Sequence, residues 1–211
     1  MLIIGIDEAG YGAIAGPLVV AAVAFPKDME QPSVEINGRR VLVQDSKKSH
    51  ADYLPDLAGR VRYVAEAWET HAMMPIEIDS HGGPYEAKLQ GLQLVARRMV
   101  ERLHVFKGED REAQVIIDGH VDLDLPFPFE AMPKADELIW QVGAASILAK
   151  REQLMVMDNE HARYTRYAFK YNHGYPTPDH LKRLKQYGPC RVHRRSTKAL
   201  APLRKKPKGR E

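Results

Sequence analysis

The sequence predicts an α/β protein built on a mixed β-sheet whose early strands form an antiparallel meander. Three observations lead to this prediction. Aliphatic runs at residues 2–6, 18–25 and 114–118 are typical of buried strands, and amphipathic segments such as residues 84–103 alternate with them. The chain has 211 residues, 44% of them hydrophobic, which is enough for one sizeable core. The predicted element order is β-β-β-α-β-α-β-α.

The N-terminal half contains four of the predicted strands. Residues 2–6 and 18–25 are rich in Ile, Val and Leu, as buried strands are. The segment "RRVLVQ" at 39–44 is predicted as a third strand. A helix is expected around 50–60, and a further strand over "VRYVAEAW" at 61–68.

The C-terminal half is predicted to be mainly helical. Residues 84–103 place Leu92, Val95 and Met99 at helical spacing, which indicates a long amphipathic helix. After the strand at 114–118, a helix is expected to begin near Asp136 or Glu137 and to run through "LIWQVGAASILAKREQLMVM".

The last predicted helix has clear end signals. In "TPDHLKRLKQYG", Thr177 suits the N-cap position and Pro178 the first helical position. Gly188 suits the position just after the helix, where a left-handed conformation is common.

Charge is distributed unevenly along the chain. Residues 181–211 contain twelve Lys or Arg and one acid, whereas residues 1–180 contain 19 basic and 27 acidic residues. The net charges are therefore near +11 and −8. A basic terminal region on an acidic body is typical of a polyanion-binding protein that also carries a metal site.

Composition limits the compartment and the kind of metal site. The single Cys190 excludes an internal disulfide and a thiolate cluster built by one chain. The start "MLIIGIDEAG" lacks the basic region of a signal peptide, and the apolar run at 17–26 is too short to span a bilayer. A cytoplasmic protein with no membrane partner is expected.

Acidic residues follow two of the predicted strands. Residues 2–6 lead into Asp7 and Glu8, and the later strand ends in Asp118, with glycines after both clusters. If these strands are parallel neighbours, the acids meet at one carboxyl edge, where open α/β folds place their sites. Asp136 begins a predicted helix and is a further candidate. Its other interpretation is a structural first-turn acid.

Converging carboxylates repel one another unless a cation neutralises them. Oxygen ligands favour Mg²⁺ or Mn²⁺, and two such ions about 3.5–4 Å apart could organise the attack of water on a phosphodiester. The spacing of Gly10, Gly12 and Gly16 also allows a dinucleotide-binding turn. The adjacent acids, Pro17 and the strand that continues after it count against that alternative.

Five short segments in collinear order carry a family signature. They are "GIDEAGYGAIAGPLVVAAVAF" at 5–25, "DSKK" at 45–48, "IIDG" at 116–119, "KADELIWQVGAASILAK" at 134–150 and "HGYPTPDHLKRLKQYGPCRVHRRS" at 173–196. Together they resemble the ribonuclease HII family, the type 2 ribonucleases H. The resemblance covers nearly the whole chain and leaves about the last dozen residues unmatched.

The resemblance implies an RNase H-like fold and cleavage of RNA paired with DNA, including single ribonucleotides embedded in duplex DNA. Such cleavage leaves 5′-phosphate and 3′-hydroxyl ends and depends on Mg²⁺ or Mn²⁺. The resemblance makes Asp7, Glu8, Asp118 and Asp136 the catalytic, metal-binding acids. Tyr175 matches a tyrosine that stacks on the sugar beside the scissile junction. Residues implied to bind substrate are Gly10, Tyr11, Gly12, Lys47, Lys48, Ser146, Tyr175 and Arg194.

The resemblance also implies a domain organisation. Residues 1–165 correspond to the catalytic domain and residues 166–200 to a helical, substrate-binding C-terminal extension, while the basic tail at 201–211 is predicted to be disordered. The expected partners are RNA–DNA hybrids and ribonucleotide-containing duplex DNA, bound by a monomer. The sequence names no protein partner.

Two positions depart from the family pattern. The family usually has Gly-Arg-Gly after the acidic pair, where this chain has Tyr11 as the middle residue. The family also commonly has an Arg-Asp pair beyond the lysine of the alanine-rich helix, where this chain has Arg151-Glu152-Gln153. The missing arginine leaves two alternatives open: a nucleic-acid-binding protein with weak turnover, or a nuclease that prefers longer hybrids.

Overall fold

The structure is a computed structural model that describes residues 1–44, 51–106 and 112–203. Two predicted features therefore lie outside the described residues: the "DSKK" segment with Lys47 and Lys48, and the basic tail from residue 204 onward. Within the described ranges, every helix is too short or too polar to cross a membrane.

A mixed five-stranded sheet forms the centre of the fold, and it confirms the predicted fold class. The strand order is β5-β2-β1-β6-β7, in which β1 is antiparallel to β2 and parallel to β6. The strands are β1 (Leu2–Ala9), β2 (Leu18–Pro26), β3 (Ser33–Ile36), β4 (Arg39–Leu42), β5 (Ala67–Met73), β6 (Ala113–Asp118) and β7 (Glu130–Met132).

Seven α-helices accompany the strands in the described part of the chain. They are α1 (Leu54–Val64), α2 (Pro75–Ser80), α3 (Pro84–Leu103), α4 (Ala135–Leu138), α5 (Trp140–Arg163), α6 (Phe169–Asn172) and α7 (Pro178–Tyr187). The end signals of the last helix are confirmed. The Thr177 hydroxyl accepts a hydrogen bond from the His180 N–H, and Gly188 follows the helix with φ 70°.

The strand predicted at 39–44 is confirmed as β4 at Arg39–Leu42, but it lies outside the antiparallel meander. β4 pairs only with β3, in a separate two-stranded sheet. Its side chains are mostly exposed, so this hairpin lacks the buried faces that a central strand needs. The third strand of the antiparallel meander is β5, which pairs with β2.

The prediction of a strand at 61–68 was wrong over its first half. Residues 61–64 end α1, and β5 begins only at Ala67. Leu57, Ala58 and Val61 are buried at helical spacing against the sheet. Burial of this apolar stripe outweighs the strand preference of the β-branched and aromatic residues.

Helices cover both faces of the sheet. On one face, α3 packs its apolar stripe against β1, β2 and β6. On the other face, α1 and the first half of α5 pack against β1 and β2. The sheet is therefore buried on both sides, which accounts for strands that are apolar at nearly every position.

The approach of α5 to β1 is unusually close, and Gly5 permits it. A Cβ atom at Gly5 would lie 2.5 Å from the backbone carbon and oxygen of Gln141. Only a glycine leaves room for this contact. The close packing draws the small residues at the start of α5 toward the sheet and brings Ser146 to the end of β1.

The helix predicted to begin near Asp136 is divided in two. Ile139 has an extended conformation, with φ −123° and ψ 106°, and it separates α4 from α5. The short α4 follows β7, and Lys134 before it is in the left-handed region with φ 60°. Asp136 thus lies in a separate first turn that docks beside β6.

The C-terminal segment packs back onto the loop between β1 and β2. The Gly16 N–H donates to the Val192 carbonyl at 2.8 Å, and the Arg194 N–H donates to the Ile14 carbonyl at 2.8 Å. Ala15 and His193 form an isolated antiparallel bridge. The proposed boundary near residue 165 stays a prediction, and these bonds join the two sides of it.

Candidate active site

The acidic residues at the strand ends line one pocket of about 230 Å³ at the carboxyl edge of β1 and β6. This is the edge at which the sequence predicted a site. The lining residues are Asp7, Glu8, Ala9, Gly10, Tyr11, Gly12, Asp118, Ser146, Lys150 and Tyr175.

Asp7 and Glu8 project toward opposite faces of the sheet because they are neighbours on one strand. Asp7 lies on the α5 side, where the Ser146 hydroxyl hydrogen-bonds its carboxylate. Its Oδ1 also accepts the Glu8 N–H at 2.7 Å. Burial, followed by the charges of Glu8 and Asp118, raises the pKa of Asp7 well above its usual value.

Glu8 lies on the α3 side of the sheet, where it meets a cation that the sequence did not single out. The Lys88 ammonium contacts Glu8 Oε1 at 2.7 Å, and both side chains are nearly buried, at 13% and 12% exposure. In the sequence, Lys88 is an ordinary polar residue near the start of an amphipathic helix. Only the packing of α3 on the sheet identifies it as the partner of an acid that lines the pocket.

Asp118 ends β6 and connects the pocket to α4. Its Oδ1 accepts a hydrogen bond from the Ala135 N–H at 2.8 Å. Asp136 follows Ala135 and is buried in α4, at 2% exposure. The structure thus gathers Asp7, Glu8 and Asp118 around the pocket, whereas Asp136 is buried outside its lining, next to the residue that Asp118 contacts.

The chemistry of this donor set fits a hard divalent cation. Three carboxylates share the pocket, and mutual repulsion contributes to the raised pKa of Asp7. The Lys88 ammonium already acts as a counter-cation at Glu8. Within the described residues, no three acidic, His or Cys side chains are arranged as a finished ligand cluster. Carboxylate rotation would have to complete it.

The turn after the acids is held in a conformation that requires glycine. Gly10 has φ 83°, and a Cβ atom there would lie 2.6 Å from the Pro17 carbonyl oxygen. Gly12 is exposed, and a Cβ atom there would lie 3.8 Å from Tyr175 Cε1. Tyr11, between the two glycines, is 42% exposed. The turn therefore presents open backbone beside two tyrosines.

The placement of Arg194 does not support its predicted contact with substrate. Its side chain is fully buried, and its guanidinium donates to the carbonyls of Gly16, Tyr11 and Pro17 at 2.9, 3.1 and 2.7 Å. Burial lowers its pKa to about 10, so it remains charged at neutral pH. Arg194 holds the glycine turn from behind.

Lys150 and Tyr175 form the opposite wall of the pocket. The Lys150 ammonium lies 5.3 Å from the centroid of the Tyr175 ring, within the range of a cation–π contact. Its hydrogen-bond partner is the neutral amide oxygen of Gln153, at 3.4 Å. Burial lowers the pKa of Lys150.

A buried histidine pair, His180 and His193, contacts the backbone of Tyr175. His180 Nδ1 lies 2.8 Å from the Tyr175 carbonyl, so this nitrogen donates and Nε2 accepts. His193 Nε2, 3.2 Å away, then donates to His180 Nε2. His193 Nδ1 accepts the Cys190 N–H at 3.1 Å. These contacts give His193 a structural role beneath the Tyr175 loop.

Comparisons with known proteins agree with this geometry. The family model described as Ribonuclease HII matches residues 4–200. A curated Ribonuclease HII from Xanthomonas campestris pv. campestris is 40% identical over 205 residues, which cover 97% of this chain and 77% of that protein. The chain spans between 65% and 88% of the length of such relatives.

Two solved structures are similar in fold. The ribonuclease H2 from Pyrococcus horikoshii OT3 has a TM-score of 0.70 and 22% identity, over 96% of this chain and 97% of that one. Bst-RNase HIII in complex with Mn²⁺ has a TM-score of 0.61 and 19% identity, over 89% of this chain and 70% of that one. At these identities, the likeness establishes the fold.

Fold, acidic pocket and family match together define a metal-dependent endoribonuclease of the ribonuclease H type. The RNase H-like fold implied by the sequence is confirmed. The chain belongs to the ribonuclease HII family.

Proposed function

We propose that this protein cleaves the RNA strand of RNA–DNA hybrids and also cleaves at single ribonucleotides embedded in duplex DNA. It leaves 5′-phosphate and 3′-hydroxyl ends. The observation that carries this proposal is the convergence of three carboxylates on a pocket whose rim is an exposed glycine turn and a tyrosine. Exposed glycine backbone can approach a ribose closely, and carboxylates with metal suit phosphodiester hydrolysis.

Asp7, Glu8 and Asp118 would hold Mg²⁺ or Mn²⁺, and Asp136 would complete the set. When bound, two such ions would supply Lewis acids that lower the pKa of a water molecule and offset the charge on the phosphate. Ser146 orients the Asp7 carboxylate by the hydrogen bond between them. Asp118 is oriented by the Ala135 N–H.

Substrate contacts are proposed for the rim. Tyr175 stacks on the sugar next to the cleaved bond, because its ring borders the pocket and Gly12. Lys150, across the same ring, binds a backbone phosphate. The protein acts as a cytoplasmic monomer and binds no membrane.

The test is cleavage of three labelled duplexes, in Mg²⁺ and in Mn²⁺ separately. One duplex carries a single ribonucleotide, one an RNA tract and one only deoxynucleotides. We expect cleavage of the first two and none of the third, with a 5′-phosphate on the downstream product. Binding of hybrids without cleavage in either metal would instead favour the alternative of a nucleic-acid-binding protein with weak turnover.

A further inference from the structure

Lys88 reaches Glu8, an acid of the pocket, from the side of the sheet opposite Ser146. Its ammonium pairs with Glu8 Oε1 at 2.7 Å and lies 5.7 Å from the centroid of the Tyr11 ring. A Cβ atom at Gly119, next to Asp118, would lie 3.5 Å from the same nitrogen. One ammonium is thus surrounded by both acidic strand ends and by the exposed tyrosine of the glycine turn.

The surroundings of Lys88 differ from those of a surface lysine. A surface ion pair is exposed and contributes little, whereas this side chain is only 13% exposed. The Tyr11 ring fixes the direction of the ammonium by a cation–π contact. An ammonium has three N–H donors, and the bond to Glu8 uses one of them. Among the described residues, this ammonium has no second hydrogen-bond partner, which leaves two donors for an anion.

Tyr11 also marks the place where a bound strand would leave the pocket. A second groove, of about 490 Å³, shares Tyr11 and Gly12 with the acidic pocket and continues along the start of α3 toward residues 196–199. A polynucleotide that occupies both must cross the ridge formed by Tyr11. Its backbone would then pass the Lys88 ammonium.

We propose that Lys88 is a substrate-binding residue that contacts a backbone phosphate where the strand crosses Tyr11. The Tyr11 ring holds the ammonium in place, so helix α3 supplies the cation that the glycine turn itself lacks. This inference rests on the proposed function, since it requires a polynucleotide in the pocket. It adds a specific residue and a specific class of contact, a phosphate bound by lysine.

Binding is measured in an Asp118→Asn background so that the hybrid stays intact in Mg²⁺. In this background Lys88→Met is compared with Lys88→Arg, which keeps the charge. The matched control is Arg98→Met, which removes a different cation from α3, in an exposed pair with Glu69. Fluorescence anisotropy gives the Kd for a labelled RNA–DNA hybrid across a range of salt concentrations.

We expect Lys88→Met to weaken binding about tenfold and to reduce the slope of log Kd against log salt by about one, the value of a single lost phosphate contact. Lys88→Arg should retain the slope, and Arg98→Met should change neither quantity. If Lys88→Met keeps both the slope and the affinity while only the melting temperature falls, Lys88 merely neutralises Glu8 and the inference is overturned.

A charge-neutral linkage scan locates the contact. Single methylphosphonates replace each phosphate near the ribonucleotide in turn. We expect one linkage whose neutralisation weakens binding to the parent protein but not to the Lys88→Met variant. Equal losses in both proteins at every linkage would refute a phosphate contact. Failure of the proposed function would look different, because the wild-type protein would then cleave no hybrid in Mg²⁺ or Mn²⁺.

Discussion

The two walls of the acidic pocket look alike but are stabilised differently. The α3 wall is defined as Tyr11, which lines the pocket, and Lys88, which packs beside that ring; the Lys88 ammonium forms an ion pair with Glu8 at 2.7 Å. On the α5 wall, defined as Lys150 and Tyr175, the ammonium lies over the ring and contacts a neutral amide at 3.4 Å. Both walls place a lysine against a tyrosine, but among the described residues it is the lysine of the α3 wall that contacts a carboxylate.

This difference indicates different tasks for the two walls. The α5 wall is held by a buried contact, since the Tyr175 carbonyl accepts a hydrogen bond from His180. Its lysine, Lys150, is partly desolvated. The α3 wall is more exposed, with Tyr11 at 42%, and its cation is shared with an acid of the pocket floor. We therefore expect the α5 wall to control sugar placement and the α3 wall to control strand affinity.

The largest loss of activity is expected from substitution of the acids that lie between the two walls. Asp118→Asn should lower kcat by at least about 100-fold, more than the loss usual for a residue that only supports metal ligands. Folding should stay intact. The matched control is Asp122→Asn, an exposed acid just beyond the strand. Steady-state cleavage of the RNA-tract duplex at subsaturating Mg²⁺ gives both values. Equal activity of the two variants would contradict the metal-site assignment.

The next effect separates the walls directly. Tyr175→Ala should lower kcat/KM for a single embedded ribonucleotide by about 10- to 100-fold, because stacking on an aromatic ring contributes about 1–3 kcal/mol. Tyr175→Phe should retain most of the activity, since the ring remains. Tyr11→Ala should have the smaller effect of the two alanine variants. A reversed order would show that sugar placement belongs to the α3 wall.

Low pH should reduce the stability that the buried histidine pair gives to the fold beneath the α5 wall. Burial and the neighbouring His180 lower the pKa of His193 from 6.5 to about 4. Its neutral form therefore stabilises the fold above pH 6.5, and this contribution is lost as the pH falls toward 4. The expected loss is about 1 kcal/mol per pH unit.

Urea unfolding between pH 7 and 4.5 measures this loss, and His193→Gln should give a flatter profile. The raised pKa of Asp7 acts in the opposite direction, since its contribution falls as the pH rises from 3.8 through the folded-state pKa. Both proteins are therefore compared in an Asp7→Asn background. Identical slopes with and without His193 would exclude the histidine pair as the source.

The smallest change in affinity is expected when the position of the cation is moved from Lys88 to residue 11. Tyr11→Arg places a second cation beside Lys88, so the gain from a new phosphate contact should be offset and hybrid affinity should stay within about threefold of wild type. The double variant Tyr11→Arg, Lys88→Met should recover most of the affinity that Lys88→Met loses. If the double variant Tyr11→Phe, Lys88→Met recovered the hybrid affinity equally well, a positive charge would not be what the α3 wall contributes.

Much of the site could be predicted because its signals are local. Asp7, Glu8 and Asp118 follow aliphatic runs, and strand direction alone brings such ends together. The cap of α7 is a pattern of a few residues, and the structure confirms it. The prediction of a strand at 61–68 was wrong over its first half because β-branched residues also suit a buried helix face.

Other residues could not be assigned from sequence, because their roles depend on partners far along the chain. Lys88 meets Glu8 across 80 residues, and Arg194 meets Gly16 across 178. An arginine in a basic segment suggests phosphate contact, yet the Arg194 guanidinium is buried and donates to three backbone carbonyls. The hairpin of β3 and β4 has strand-like residues, but only packing excludes it from the central sheet.

The sequence by itself therefore determined the fold class, the acidic strand ends and the family, since hydrophobic periodicity and short motifs act over a few residues. Only the tertiary structure decided which cation faces Glu8, which arginine holds the glycine turn and which strand completes the meander. Those outcomes depend on the close packing of α3 and α5 on opposite faces of one sheet. Neighbouring residues on a strand point to opposite faces, so Asp7 and Glu8 meet partners that adjacency in sequence does not reveal.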